Sequence, residues 1–284
     1  MTAAREACRR ILRETAMSHW TLQDIPWDRF EPARVAPDIL RVVKAAAMVE
    51  KNSADYATYL GNVFPDDPEF VAAARAWAEE EVQHGDALGR WAEMADPQFR
   101  FAERFEVFRR GFRIPVDSRE SVRGSRSGEL VARCVVEVGT SSYYTALGEA
   151  TDEPVLKAIC ARIAADEFRH YKMFYTYLRR YVAHERPSPW HRLAVALGRI
   201  VESDDDELAY AYYAANNQGE PYDRRRCADA YAARAYRVYR PRVIERGVAM
   251  TLKAAGFRPY GRHSRILSGL ARGVMGWRAR RLAA

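Results

Sequence analysis

At 284 residues with 48% hydrophobic side chains, the chain can bury a sizeable core in one or two domains. Its four cysteines, Cys8, Cys134, Cys160 and Cys227, form no Cys-x-x-Cys pair, and no apolar run of about 20 residues or basic-then-apolar leader occurs; this excludes a disulfide-built module and a membrane-spanning helix, and a cytoplasmic protein is expected. The net charge of +7 is uneven: beyond Glu245, the last acid, Arg246, Lys253, Arg258, Arg262, Arg265, Arg272, Arg278, Arg280 and Arg281 carry +9, with no nucleic-acid-binding motif beside them, so no nucleic-acid partner is expected.

Ala, Leu, Glu and Arg recur at helical spacing, and Val, Ile and Thr never alternate with polar residues over a strand's length, so the class is all-α. Residues 1–35 read as a short helix followed by an arm whose Trp20, Leu22, Ile25 and Trp27 pack on the rest. The first core helix begins after Pro37-Asp38 and runs to about residue 60, with Gly61 and Pro65 ending it. Asp66-Asp67-Pro68 supplies a cap and an early-turn proline for a second helix that continues through Met94. A long connection from about 97 to 128 holds a short aromatic helix and then a loop from Gly111. The third helix covers about 128–150, and Thr151-Asp152-Glu153-Pro154 caps a fourth that reaches about residue 182. Residues 36–183 are therefore expected to form a four-helix core, and 184–284 a helical C-terminal extension with a basic tail, all within one compact domain. In that extension Ser203-Asp204-Asp205-Asp206 reads as a helix cap, and 209–215 and 231–239 as packing faces.

Two matching sets of acid and imidazole recur along the core helices: Glu50 with Glu81-x-x-His84, and Glu137 with Glu167-x-x-His170. Positions i and i+3 share a helix face, so each Glu and His of a pair can reach one ion. The offset is 87 residues from Glu50 to Glu137 and 86 from Glu81 to Glu167 and from His84 to His170, as two copies of one helix hairpin would give. With 22 Glu and 6 His, chance yields roughly half a Glu-x-x-His, so two of them, each preceded by a glutamate in an apolar segment, mark a site. Glu50 follows Val42, Val43, Ala46, Ala47 and Met48, and Glu137 follows Val131, Ala132, Val135 and Val136. Carboxylates in such surroundings are costly unless paired, protonated or bound to metal. The six residues have the ligand inventory of a carboxylate-bridged dimetal centre inside a four-helix bundle. Hard oxygens with two imidazoles suit Fe(II), with Mn(II) an alternative.

The runs Arg75-Ala76-Trp77 leading into Glu80-Glu81-x-x-His84-Gly85-Asp86, and 159–166 leading into Glu167-x-x-His170, resemble the soluble acyl-acyl-carrier-protein desaturases of the ferritin-like di-iron superfamily. The likeness covers roughly 40–180 and is weak or absent in the arm and the last 100 residues. It implies a ferritin-like bundle with a long mid-bundle crossover, two iron ions held by Glu50, Glu81, His84, Glu137, Glu167 and His170, and bridging roles for Glu81 and Glu167. Thr140, three residues after Glu137, matches the hydroxyl that the family places beside its oxygen-binding face, although a helical threonine also bonds back to its own turn. Asp166 and Trp77 match supporting positions around the ligands.

The activity so implied is an oxygen-dependent oxidation that inserts a double bond in a fatty acyl chain. Met48, Phe168, Tyr171, Met173, Phe174, Tyr143 and Tyr144 are available to line an acyl tunnel, or are plain core. An acyl-carrier protein or acyl-CoA would deliver the substrate, a ferredoxin-like protein the electrons, and the chain would form a homodimer. The basic tail would attract an acidic carrier or touch an anionic membrane surface. The alternatives are a di-iron hydroxylase or N-oxygenase of a small molecule, and a ferroxidase that handles iron.

Overall fold

The computed structural model describes residues 19–203, 206–217 and 219–280. These residues are helical with no strand among them, as the sequence patterning requires. The expected N-terminal short helix and Cys8 lie outside the described residues. The arm that follows consists of three single 3-10 turns, from which Trp20 and Ile25 enter the core.

The first core helix is in fact two, α1 (Pro37–Lys51) and α2 (Ser53–Val63), interrupted at Asn52 immediately after Glu50. Gly61 lies inside α2 and does not end it. The interruption coincides with a very close passage of α3 (Pro68–Ala95): a Cβ built on Gly85 would stand 2.7 Å from the Lys51 backbone nitrogen. Only glycine lets the two backbones approach so closely, and Lys51 then reaches Asp86 at 2.6 Å across the contact. Asp67 caps α3 by accepting from Phe70 N, at the expected place. The connection that follows contains α4 (Phe101–Gly111), and Ser125 caps α5 (Arg126–Ala150). α6 (Pro154–Glu185) completes the core, capped by Glu153.

Contacts fix the directions of these helices. Lys44 meets Asp96 and Lys51 meets Asp86, so α1 and α3 are antiparallel. Ser141 Oγ reaches the Ala164 carbonyl and Ser127 N reaches Glu185, so α5 and α6 are antiparallel. Between the pairs, Glu69 faces Arg180 while Trp91 faces Glu153, and Glu50 faces Tyr144 while Tyr59 faces Glu129. Thus α3 and α5 run the same way, joined by the long connection through α4.

The extension comprises α7 (Pro189–Ser203), α8 (Glu207–Asn216), α9 (Arg224–Arg237), α10 (Pro241–Ala255) and α11 (Arg262–Arg280). It covers the bundle: α8 packs on α1, and α7 and α10 pack on α5. This explains why α1 buries seven consecutive residues from Val42 to Met48, a run too continuous for a one-sided amphipathic helix. The alanines of α8 and the Ala232, Ala233 and Ala235 positions of α9 are packing surfaces, as their sequence suggests. Of the expected 203–206 cap, Asp204 and Asp205 lie outside the described residues; Asp206 does stand at the N-cap of α8, although its side chain makes no capping bond. Its carboxylate instead accepts from the Tyr222 hydroxyl and faces Arg224. No helix among the described residues is long and apolar enough to cross a membrane.

Candidate metal centre

All six acid and imidazole ligands anticipated from sequence converge at the middle of the four-helix core. Glu50 stands in the last turn of α1, Glu81 and His84 one turn apart on α3, Glu137 on α5, and Glu167 and His170 one turn apart on α6. Every one is at most 5% exposed. They fall into two groups, Glu50–Glu81–His84–Glu167 and Glu81–Glu137–Glu167–His170, whose donor atoms lie within 4.8 Å of one another in each group. Glu81 and Glu167 belong to both. Glu81 splits its oxygens accordingly, with Oε2 3.5 Å from His84 Nδ1 and Oε1 2.9 Å from His170 Nδ1.

The hydrogen bonds around the cluster leave the atoms a cation would need. His84 Nε2 lies 3.0 Å from Asp166 Oδ2, and His170 Nε2 lies 3.0 Å from Glu80 Oε2. A neutral imidazole that donates its Nε2–H to a carboxylate keeps a lone pair on Nδ1. Both Nδ1 atoms, both oxygens of Glu137 and Oε1 of Glu167 are buried without a hydrogen-bond partner. With that Nδ1 unprotonated, the 2.9 Å approach of His170 to Glu81 sets two acceptors face to face, an arrangement that a cation between them would satisfy. Two divalent ions also match the charge of four carboxylates, so the donor set fits a pair of metal ions.

The electrostatics of the protein groups alone reflect the same crowding. Burial, and next the Glu81 charge, push Glu50 well above the usual carboxylate range. Burial likewise raises Glu137 well above it, and raises Glu167 together with repulsion from Glu81. Burial acts on Glu81 in that direction too, but hydrogen bonds from Glu50, His170 and His84 hold it well below. Burial works against protonation of both imidazoles, yet the carboxylates around them, Asp166 first for His84 and Glu137 first for His170, raise both well above the ordinary value. Protons thus take the places that metal ions would take, and binding of metal must displace them.

The supporting residues are crossed between the two helices. The acid before each shared glutamate holds the imidazole of the other helix: Asp166 of α6 serves His84 of α3, and Glu80 of α3 serves His170 of α6. Arg169 joins the two acids, bonding to Asp166 and, at 3.2 Å, to Glu80. Trp20 of the arm donates to Asp166 at 2.7 Å and stacks on the His84 ring, with centroids 5.9 Å apart. Sequence reasoning marked Asp166 but missed the roles of Glu80, Arg169 and Trp20. The recurrence of an acid immediately before Glu81 and Glu167 was the available signal for Glu80. Trp77, marked in its place, packs edge-on to Phe174 with its indole nitrogen unbonded.

Thr140 bonds back to its own turn and also reaches a carboxylate of the cluster. Its hydroxyl lies 3.1 Å from the Val136 carbonyl and 2.5 Å from Glu167 Oε2, the better acceptor. Tyr144 is more than a lining residue, since its hydroxyl donates to Glu50 Oε1 at 2.5 Å, and burial raises its own pKa well above the usual phenol value. Met48, Tyr143, Tyr171, Met173 and Phe174 are buried, whereas Phe168 is 40% exposed with Lys172 over its ring, and so lines no tunnel. Next to Glu167, it points out of the helix face that carries the ligands.

Replacing Asp166 by Asn should therefore weaken the ion nearest His84, and Glu80→Gln the ion nearest His170, each by about 10- to 100-fold. Stepwise metal titration followed by histidine NMR checks the crossed assignment; the opposite pairing would refute it.

Fold and site define an all-helical bundle with two buried Glu/His groups, each able to hold a metal ion. Compared with models of protein families and with curated proteins, the chain matches none.

Proposed function

We infer that the chain is a ferritin-like di-iron oxidoreductase that removes hydrogen from an acyl chain, akin to the acyl-carrier-protein desaturases its motifs resemble. The observation that carries this reading is the sharing of Glu81 and Glu167 between two four-donor groups, an arrangement suited to a pair of neighbouring ions. The ferritin-like topology is supported by the parallel course of α3 and α5 across the long connection. Carboxylate oxygens with one imidazole per ion favour iron, with manganese the nearest alternative.

A bound iron pair supplies redox chemistry with dioxygen and two electrons delivered from outside. The rest falls to residues of the chain. Glu81 and Glu167, common to both four-donor groups, would be shared between the ions, and Glu50 and Glu137 would each serve one of them. Asp166 and Glu80 fix the imidazole orientation. The Thr140 hydroxyl, at the Glu167 carboxylate, is placed to hold or pass a proton at Oε2, and Tyr144 does the same at Glu50 Oε1. The buried Tyr144, bonded to Glu50, keeps bulk water from that carboxylate. An acyl carrier protein or acyl-CoA brings the substrate, and a small iron–sulfur protein the electrons.

Reduction of the iron-loaded protein, admission of oxygen in the presence of a long-chain acyl-carrier substrate, and mass analysis of the acyl group test the reading. Loss of two hydrogens is expected. A gain of oxygen would make the protein a hydroxylase, and iron oxidation with the acyl chain untouched would turn the search to small amines or to iron handling.

A further inference from the structure

The last helix, α11, exposes most of its large apolar side chains. Its buried residues are Ser264 and Ser268, while Ile266, Leu270 and Val274 are 63%, 62% and 57% exposed and Trp277 is half exposed. Positions 266, 270, 274 and 277 follow one another at helical spacing and form a single stripe on the side opposite the serines. α11 thus meets α9 and α10 with its serines, beside which Leu267 and Met275 are partly buried, and presents Ile266, Leu270, Val274 and Trp277 outward. Burial of apolar surface is the main drive to fold, so folding alone does not account for this orientation. Arg262, Arg265 and Arg272 are exposed along the same helix, and no acid follows Glu245.

α7 repeats the pattern. Trp190, Leu197 and Val201 are exposed at i, i+7 and i+11, and the Trp190 ring meets Phe257 just before α11, with centroids 5.1 Å apart. The start of α7 thus lies against the segment that leads from α10 into α11.

The charge decides between occupants. A second copy of the chain would set arginines against arginines. An acidic protein would satisfy the arginines but has no need of a continuous aliphatic stripe. An anionic phospholipid surface takes both, with phosphates at the arginines, aliphatic side chains at the acyl boundary and an indole at the interface. We propose that α11 is an in-plane anchor that docks the protein on membranes containing anionic phospholipid, the stripe 266–277 facing the lipid. This stands apart from the chemistry of the metal centre.

Flotation of the full chain with vesicles tests it. Binding is expected to phosphatidylcholine vesicles carrying roughly one-third phosphatidylglycerol and not to phosphatidylcholine alone. The variant Ile266→Glu/Leu270→Glu should bind on the order of tenfold or more weakly, and Arg265→Ala or Arg272→Ala roughly fivefold more weakly each at low salt. Unchanged melting temperature and metal content in these variants separate lost docking from lost folding. The proposal is overturned if the wild-type chain does not float with anionic vesicles, or if the Glu variant floats equally well. It is also overturned if, without lipid, the wild-type chain is a dimer that the Glu variant breaks, which would assign the stripe to a second copy. Loss of binding to an acidic acyl-carrier protein in the Glu variant, with no flotation of the wild-type chain, would assign it to that partner instead.

Discussion

Glu81→Ala is expected to abolish the paired metal site, lowering bound metal from two ions per chain to one or none, because this carboxylate contributes to both four-donor groups. Loss of a supporting residue alone weakens such sites by about 10- to 100-fold, and loss of a shared ligand must exceed that. His170→Ala removes a donor from one group only and should leave the Glu50–His84 ion in place. Metal analysis of the purified variants, with circular dichroism to establish that helices persist, checks both; full metal content in Glu81→Ala would sink the ligand assignment.

The same centre predicts how stability responds to pH once metal is stripped by a chelator. Glu50, Glu137 and Glu167 hold protons more tightly folded than unfolded, so their contribution is full below the ordinary value of 4.5 and is lost as pH rises through their raised folded values. His84 and His170, raised above 6.5, act in the same sense from that value upward. Glu81, lowered, acts in the opposite sense, and its contribution is present above 4.5 and lost as pH falls through its folded value. Five raised groups outweigh one lowered group, so the stripped protein should melt at lower temperature as pH climbs from about 5 to about 8. Metal reverses the trend, because rising pH clears the protons that compete with it. Parallel thermal melts of loaded and stripped protein test this, and a stripped protein that stabilises with pH would contradict it.

Glu153→Ala should cost about 3–5 kcal/mol of folding stability, since it strands several buried donors at once. The Glu153 side chain is fully buried at the turn between α5 and α6. One oxygen accepts from Leu156 N and from the Trp91 indole, each at 2.7 Å; the other accepts from Val155 N at 3.2 Å and from Glu31 N at 3.1 Å. It thus caps α6 and also ties the N-terminal arm and α3 to that cap. Chemical denaturation measures the loss, and a change below about 1 kcal/mol, the size of an ordinary exposed cap, would show that the network does not act as one unit.

Helical class, helix order and the six metal-site residues were legible in the chain because they are local or repeated. Three- and four-residue spacing is a property of one helix, and the 86-residue recurrence of Glu-x-x-His is a property of the sequence itself. Asp67 could be read as a cap for the same reason, its partner being three residues away. What depended on partners far along the chain was hidden. The break at Asn52 accompanies the close approach of Gly85, a contact between two helices that no spacing reveals. Glu80 and Asp166 exchange imidazoles between α3 and α6, because antiparallel packing sets each acid across from the other helix's histidine. Trp20 reaches Asp166 from 146 residues away. Amphipathic pattern identifies α11 as a helix with an apolar stripe, but only its packing against α9 and α10 decides that the stripe faces outward, since periodicity gives a face without giving its direction.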